Sequence, residues 1–157
     1  MKRLLLVAMG LLVAAACPGA THYVVTNNSV NPAGVDPYTT WETAGTNIID
    51  VVKAAMTNTE PRLVVVSNGI YYLTNHVYVT NAMTIKSVNG CGETVVNGGY
   101  GVTTYGGCFC LAACGITLDG FTITNGAARD GGGIHIGTSN TVVQNCLITG
   151  MHSHQCR

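Results

Sequence analysis

The sequence is poor in charged residues. Only 9% of its 157 residues are Asp, Glu, Lys or Arg, and the formal net charge at pH 7 is zero, whereas charged residues make up about a quarter of an average globular protein. This composition lacks the basic footprint of a protein that binds nucleic acid or an anionic membrane surface. The surface must therefore consist largely of Thr, Asn, Ser and Gly, and we expect no nucleic-acid partner.

The chain also has little helical periodicity, but it contains a sequence repeat. Residues 118–124 match residues 143–149 at a spacing of 25 (143 − 118 = 25), and residues 83–90 resemble the segment from Ile116 at a spacing of 33 (116 − 83 = 33). Such periods, made of short apolar or Thr-rich alternations broken by Gly and Asn, are typical of a solenoid of strands. The longer spacing indicates an insertion, and Asn97 to Gly107 is the predicted projecting loop.

The first residues have the layout of a secretory signal peptide, which we assign to residues 1–20. A basic start is followed by an apolar stretch that is too short to span a membrane, and then by small residues. Cleavage could follow Ala16 or Ala20. Cleavage after Ala16 would leave Cys17 first, in a segment that loosely resembles a bacterial lipoprotein box, so a lipid anchor is the alternative to simple secretion. We expect a secreted or outer-surface protein whose mature chain does not span the membrane.

Residues 21–62 are predicted to form an N-terminal strand, a loop and one capping helix. The strand is expected over His22 to Thr26, and Thr46 or Asn47 is the predicted N-cap of the helix. The helix ends by Asn58, and its apolar positions recur at helical spacing: Ile48, Val51, Val52, Ala55 and Met56. We expect it to cover the apolar interior of the first coil, with Trp41 packed beside it.

Residues 63–157 are predicted to be the first coils of a parallel β-helix. Leu63 to Val66 is a continuous apolar run of the kind found in buried parallel strands. Asn68-Gly69 follows as a turn, and further short strands are expected over residues 70–74, 76–80 and 94–96. The fold class is therefore all-β.

Several segments resemble the bacterial secreted right-handed parallel β-helix repeat proteins of the pectin-lyase-like superfamily. They lie in the order Tyr23-Val24-Val25, Trp41, Ile48 to Met56, Leu63 to Tyr72, and Thr84 to Ser87. The stretch from Phe121 to Ile134 looks like the Gly-Gly-Gly-Ile coils of polymorphic outer-membrane and adhesin-like proteins in that group. The resemblance implies a right-handed fold. It does not select a function, because this fold carries lyases, hydrolases, epimerases and adhesins.

In the resembled proteins, a segment such as Asn145 to Gly150 is followed by many further coils. Here residues 151–157 follow it without a recognisable cap. A bare last coil would expose unpaired backbone groups and an apolar interior. We therefore expect the chain to be an N-terminal fragment, or a truncated reading, of a longer protein.

The acidic residues do not form the cluster that catalysis on this fold requires. A polysaccharide lyase would need gathered carboxylates for calcium and an Arg or Lys beside them, and Asp119, Arg129 and Asp130 are the nearest approach to that set. We prefer the structural interpretation, in which Asp119 and Asp130 lie at a strand end or in a turn, because Asp is common at such positions. Paired Asp residues and the Gly-His-Gly segment of the hydrolases are absent. We predict no catalytic residue.

A second candidate site lies at the chain end, where His152, His154 and Cys156 alternate and would share one face of a strand. A fourth ligand is not obvious. We therefore predict no metal and no cofactor.

Six cysteines remain outside the signal peptide: Cys91, Cys108, Cys110, Cys114, Cys146 and Cys156. Export permits disulfides, and six cysteines allow fifteen pairings that the sequence does not distinguish. One hypothesis pairs Cys91 with Cys108, Cys110 or Cys114 across the Gly-rich loop. The alternative is that some are small buried apolar residues.

Exposed tyrosines are the candidate ligand contacts, since their rings could stack on sugars: Tyr71, Tyr72, Tyr78, Tyr100 and Tyr105. Tyr is also a common strand residue that needs no ligand. The function predicted is non-catalytic adhesion through polysaccharide or surface-protein binding. The alternative is the N-terminal portion of a polysaccharide lyase or glycoside hydrolase whose catalytic coils lie beyond residue 157.

Overall fold

The computed structural model describes residues 19–27, 29–99, 107–128 and 131–153. Within these residues the chain is predominantly β-structure with a single helix, α1 (Ile48–Met56). The strands are β1 (Thr21–Val24), β2 (Leu63–Val66), β3 (Gly69–Tyr72), β4 (Val77–Val79), β5 (Thr84–Ser87), β6 (Thr94–Asn97), β7 (Phe109–Leu111), β8 (Thr117–Asp119), β9 (Thr122–Thr124), β10 (Ala127–Ala128), β11 (Ile134–Ile136), β12 (Val142–Gln144), β13 (Leu147–Thr149) and β14 (His152–Ser153).

The strands form four sheets, and all of their pairings are parallel. Sheet 1 has the order β1-β2-β5-β8-β12, and sheet 2 has the order β3-β6-β9-β13. Sheet 3 has the order β4-β7-β11, and sheet 4 pairs β10 with β14. Each sheet therefore takes one strand from successive segments of the chain, which confirms the parallel all-β class predicted from the sequence.

The strand register confirms both sequence repeats. Leu118 of β8 pairs with Val143 of β12, and Thr122 of β9 pairs with Leu147 of β13, both 25 positions apart (143 − 118 = 25; 147 − 122 = 25). Thr84 of β5 pairs with Thr117 of β8, 33 positions on (117 − 84 = 33). The sequence repeats therefore correspond to hydrogen-bonded neighbours.

The same register places most of the extra length away from the predicted loop. The pairing in sheet 2 of β6 Val95 with β9 Thr122 spans only 27 positions (122 − 95 = 27), against 33 in sheet 1. Six of the eight additional residues therefore lie between β5 and β6, and two lie between β6 and β7. Against this following repeat, the predicted insertion at Asn97 to Gly107 holds the smaller addition. Against the preceding repeat it holds the larger one, because Thr94 to Phe109 spans 15 positions (109 − 94 = 15) where Gly69 to Val77 spans 8 (77 − 69 = 8). Residues 100–106 of that segment lie outside the described residues.

Alternate side chains of the strands point into a common apolar core. In sheet 1 the buried column consists of His22, Val64, Ile85 and Leu118. The column of sheet 2 consists of Tyr71, Val96 and Ile123, and that of sheet 3 contains Val77 and Phe109. At β13 the apolar side chains are exposed, as Leu147 (53%) and Ile148 (48%) show, whereas Ile134 of β11 and Val143 of β12 are partly buried against the core. Within the described residues, burial of the apolar side chains therefore decreases from β1 towards β13.

Helix α1 agrees with its prediction and lies against β1, β2 and β4. The side chain of Asn47 caps it by accepting a hydrogen bond from the backbone N–H of Ile49 (2.9 Å). Its buried face consists of Ile48, Ile49, Val51, Val52 and Ala55. The ring of Trp41, expected beside this helix, packs on Tyr23 of β1, with centroids 4.4 Å apart. No helix in the described part of the chain is long and apolar enough to cross a membrane.

A buried histidine joins the helix to the first strand and to the loop between them. His22 of β1 is fully buried. Its Nδ1 donates to the carbonyl oxygen of Pro37 (2.5 Å), and its Nε2 accepts from the side-chain amide of Asn58 (3.0 Å), just beyond α1. Both ring nitrogens of this buried side chain therefore have a hydrogen-bond partner.

Candidate ligand-binding cleft

A cleft of about 380 Å³ lies between α1 and the chain leading into β4. Its volume falls within the range of roughly 300–1,000 Å³ that small-molecule sites occupy. Both apolar and polar side chains line it: Asn47, Ile49, Asp50, Lys53, Met56, Thr74, Asn75, His76 and Tyr78.

The helical wall of the cleft carries two opposite charges. Because the apolar face of α1 is turned to the core, Asp50 and Lys53 remain exposed. They are three positions apart and so lie on neighbouring positions of one helix face. Asp50 is in the first turn and Lys53 in the last, where each complements the helix dipole. The wall is therefore polar but carries no net charge.

The strand wall presents an aromatic pair. Tyr78 lies between the fully buried Val77 and Val79, so the alternation of β4 turns its ring outward, where it is 49% exposed. The ring of His76 stands at 89° to it, with centroids 5.7 Å apart. His76 Nδ1 is shielded from solvent and has no hydrogen-bond partner in the described structure. An unsatisfied ring nitrogen in a cleft wall is a candidate partner for a ligand or a water molecule.

The structure separates the tyrosines that the sequence analysis grouped. Tyr71 is only 4% exposed, and its hydroxyl contacts the side-chain oxygen of Ser67 at 3.0 Å. Burial raises the pKa of Tyr71, and the residue is a core component without access to sugars. Tyr72 is 72% exposed on the outer face of sheet 2. Of the tyrosines that the structure describes, Tyr78 alone lines the cleft. Tyr100 and Tyr105 lie outside the described residues.

Asp119 belongs to the candidate catalytic set of Asp119, Arg129 and Asp130, and its side chain is hydrogen-bonded to the neighbouring repeat. Its carboxylate accepts hydrogen bonds from the side-chain amides of Asn145 (2.8 Å) and Gln144 (3.0 Å). These bonds, led by that of Asn145, lower the pKa of Asp119. Each of its oxygens thus serves a link between repeats, which supports the strand-end interpretation. Arg129 and Asp130 lie outside the described residues.

The proposed chain-end metal set is represented in the structure by one residue. His152 lies in β14, paired with Ala127 of β10, and His154 and Cys156 are not among the described residues. Elsewhere in the described residues, no three His, Cys, Asp or Glu side chains come together in an arrangement that could hold a metal ion.

The five described cysteines are free thiols. Cys108 is fully buried, and burial raises the pKa of its thiol to about 11. Its sulfur packs over two glycines: a Cβ at Gly98 or Gly126 would lie 2.8 or 3.0 Å from it. This residue is the small apolar filler that one of the sequence alternatives predicts.

Cys110 is the middle member of an outward column in sheet 3, in register with Tyr78 and His135. Burial raises the pKa of the Cys110 thiol, which keeps it protonated and opposes a role as a nucleophile. Cys91 lies between β5 and β6, at the boundary of sheets 1 and 2, whereas Cys110 lies in sheet 3. A disulfide between Cys91 and Cys110 would therefore have to join two different parts of the fold, and the structure shows both residues as free thiols.

Comparison of the chain with known protein-family models, curated proteins and solved structures found no match.

Proposed function

We propose that the chain is a right-handed parallel β-helix from an exported, secreted or cell-surface protein of the pectin-lyase-like type, and that it binds glycans in the cleft between α1 and β4 without catalysis. The solenoid is supported by four parallel sheets in which each repeat adds a strand in register. The right hand is supported by the rule that crossovers between parallel strands of one sheet are right-handed in nearly all proteins. Export is supported by the signal-like residues 1–20.

The single observation that carries glycan binding is the exposed ring of Tyr78 at the edge of a polar cleft. An aromatic ring offers an apolar face to the C–H side of a sugar, and its hydroxyl supplies a polar contact. The amides of Asn47 and Asn75 and the charges of Asp50 and Lys53 offer hydrogen-bond donors and acceptors for sugar hydroxyls.

The charge balance of the cleft favours a neutral ligand. Asp50 and Lys53 contribute one charge of each sign to the same wall. A strongly acidic polysaccharide would therefore meet repulsion as well as attraction, whereas the hydroxyls of a neutral glycan can bond to both groups.

Binding is favoured over catalysis by the exposure of the two charged side chains in the cleft. Asp50 and Lys53 both lie on the solvent side of α1, whereas a catalytic group is normally held in place by a hydrogen-bonded partner. The described residues also contain no acidic cluster for calcium.

The test compares two tyrosine substitutions. We expect Tyr78→Ala to weaken binding to a neutral polysaccharide such as xylan by about tenfold, the loss typical of a central aromatic contact. Tyr72→Ala is the matched control, because Tyr72 is more exposed and lies on another sheet. Affinity gel electrophoresis with xylan, and with polygalacturonate as the acidic comparison, gives both affinities.

Equal losses in the two variants, or no retardation of the wild-type chain by any neutral polysaccharide, would refute glycan binding at this cleft. Release of reducing ends or of unsaturated products by the wild-type chain would contradict the non-catalytic role. That result would favour the lyase or hydrolase alternative.

A further inference from the structure

A second site, the Trp41 groove, lies within the connection between β1 and α1 and has a volume of about 240 Å³. Its lining combines an aromatic ring, two valines, two small polar side chains and a carboxylate: Trp41, Val25, Val30, Asn27, Ser29 and Glu42. None of these residues lines the cleft between α1 and β4. The volume is below the roughly 300–1,000 Å³ of sites for drug-sized molecules, so the groove suits a small ligand.

Trp41 and Glu42 occupy the centre of a tight turn that is fixed by its two end residues. The backbone N–H of Thr40 donates to Thr43 Oγ1 (3.1 Å), and the backbone N–H of Thr43 donates to Thr40 Oγ1 (3.2 Å). The carbonyl oxygen of Thr43 also accepts from the backbone N–H of Val35 (2.9 Å). The backbone that carries both side chains is therefore fixed before a ligand arrives, which reduces the ordering cost of binding.

The apolar part of the groove is accessible to solvent. The ring of Trp41 is supported by Tyr23 of β1 at a centroid distance of 4.4 Å, yet it remains 43% exposed, and Val30 is 71% exposed. Covering these groups with a ligand removes apolar surface from water. The face of a tryptophan ring also attracts cations more strongly than that of any other side chain.

The charges of this segment select a cation. Between residues 19 and 49 the sequence holds two carboxylates, Asp36 and Glu42, and no Lys or Arg. Glu42 lines the groove, and hydrogen bonds from its own backbone N–H and from Thr40 lower its pKa. A calcium ion takes about six to eight oxygen ligands, whereas half of this lining is apolar. An organic cation that carries methyl groups matches both the charge and the apolar walls.

We propose that the Trp41 groove binds a methylated ammonium group, with the cation over the ring of Trp41 and beside the carboxylate of Glu42. The methyl groups of the ligand pack against Val25 and Val30. Trp41 and Glu42 thus supply a cation–π contact and an ion pair from adjacent positions of one turn. The groove shares no lining residue with the cleft, so this proposal does not depend on glycan binding.

The test uses the fluorescence of Trp41, the only tryptophan in the chain. Titration of the purified full chain with tetramethylammonium chloride at constant ionic strength is expected to give a saturable change with a millimolar dissociation constant, the range expected for so small a ligand. Sodium chloride and tert-butanol, a neutral molecule of similar shape, are expected to give no saturable change. A wild-type chain without a saturable response to tetramethylammonium, or with an equal response to tert-butanol, would overturn the proposal.

Two carboxylate substitutions locate the site. Glu42→Gln keeps the shape of the side chain and the fluorescent reporter, and we expect it to weaken tetramethylammonium binding by about three- to fivefold, the loss of a favourable exposed ion pair. Asp36→Asn is the matched control, because it removes the same charge from the same connection but does not line the groove. It is expected to bind like the wild type. Equal affinities in Glu42→Gln and the wild type, or equal losses in the two variants, would contradict the assignment to this groove.

Trp41→Leu tests the aromatic contact, because leucine is apolar but has no π-face. Saturation-transfer NMR on the methyl protons of tetramethylammonium replaces fluorescence here, and we expect binding about three- to fivefold weaker than that of the wild type. Two further probes distinguish the sources of the ammonium group. Binding of choline without retention on phosphatidylcholine vesicles assigns a free cation, whereas cosedimentation with those vesicles that is reduced in Glu42→Gln assigns a lipid headgroup.

Discussion

Replacing His22 with leucine tests how strongly the first strand, the loop and helix α1 depend on one another. Leucine preserves an apolar side chain in the column with Val64, but it leaves the Pro37 carbonyl and the Asn58 amide without the ring nitrogens that they now contact. A buried polar group without its partner costs about 1–3 kcal/mol. Asn58 also has a longer bond to the carbonyl of Ala54 (3.4 Å), so we expect a total loss of about 2–4 kcal/mol in the free energy of unfolding.

Chemical denaturation measures this loss with a local and a global signal. The chain has a single tryptophan, Trp41, which packs on Tyr23, the residue next to His22 in β1. Its fluorescence therefore reports on the N-terminal segment, and far-UV circular dichroism reports on the sheets. The two signals separate local loosening from global unfolding.

Asn58→Ala supplies the second edge of a double-mutant cycle. It removes the same bond to His22 Nε2 from the other side. If the bond operates as described, the double variant will lose less than the sum of the two single losses, by about 1 kcal/mol. A His22→Leu variant as stable as the wild type, or strictly additive losses, would refute the reasoning.

Two further perturbations address the corner glycines and the buried tyrosine. Gly120→Ala and Gly90→Ala both force alanine into a positive φ (81° and 85°), but only at Gly120 would the new Cβ approach Ser87 Oγ, at 2.5 Å. Chemical denaturation should therefore show Gly120→Ala to be the more destabilising by about 1 kcal/mol or more; equal effects would contradict the contact. Tyr71→Phe should cost about 1 kcal/mol at pH 7. Because the folded-state pKa of Tyr71 is raised from 10.0, its contribution is fully present below pH 10 and is lost as the pH rises through the folded pKa; denaturation curves across that range should show a shallower alkaline decline in the variant.

The helix could be predicted because its signals are local. Asn47 stands where a side-chain oxygen can satisfy a free backbone N–H at the first turn. The spacing of Ile48, Val51, Val52 and Ala55 fixes the buried face. None of these inferences requires knowledge of what lies across from the helix.

The cleft could not be predicted because its two walls are distant in sequence. The pattern places Asp50 and Lys53 on the exposed side of α1 and Tyr78 on the outward side of β4, but it does not show that these surfaces adjoin. That relation depends on α1 packing against β4 as well as against β1 and β2. The division of the extra residues between two corners could not be predicted for a similar reason. The spacing of 33 comes from sheet 1 alone, and the register of sheet 2 is needed to distribute the extra residues among the corners.

The corners explain why the fold is easier to recognise than the ligand. At three of them the two copies of the 25-residue repeat exchange Gly and Asn, always at positive φ: Gly115 and Asn140, Gly120 and Asn145, Asn125 and Gly150. Both residue types tolerate the left-handed conformation, so the corner constrains backbone geometry more than side-chain identity. The inward columns are constrained by burial in the same way. Outward positions face neither constraint, and one such column holds the unlike residues Tyr78, Cys110 and His135 in register. Specificity on this scaffold therefore resides in the positions that the repeat leaves undetermined.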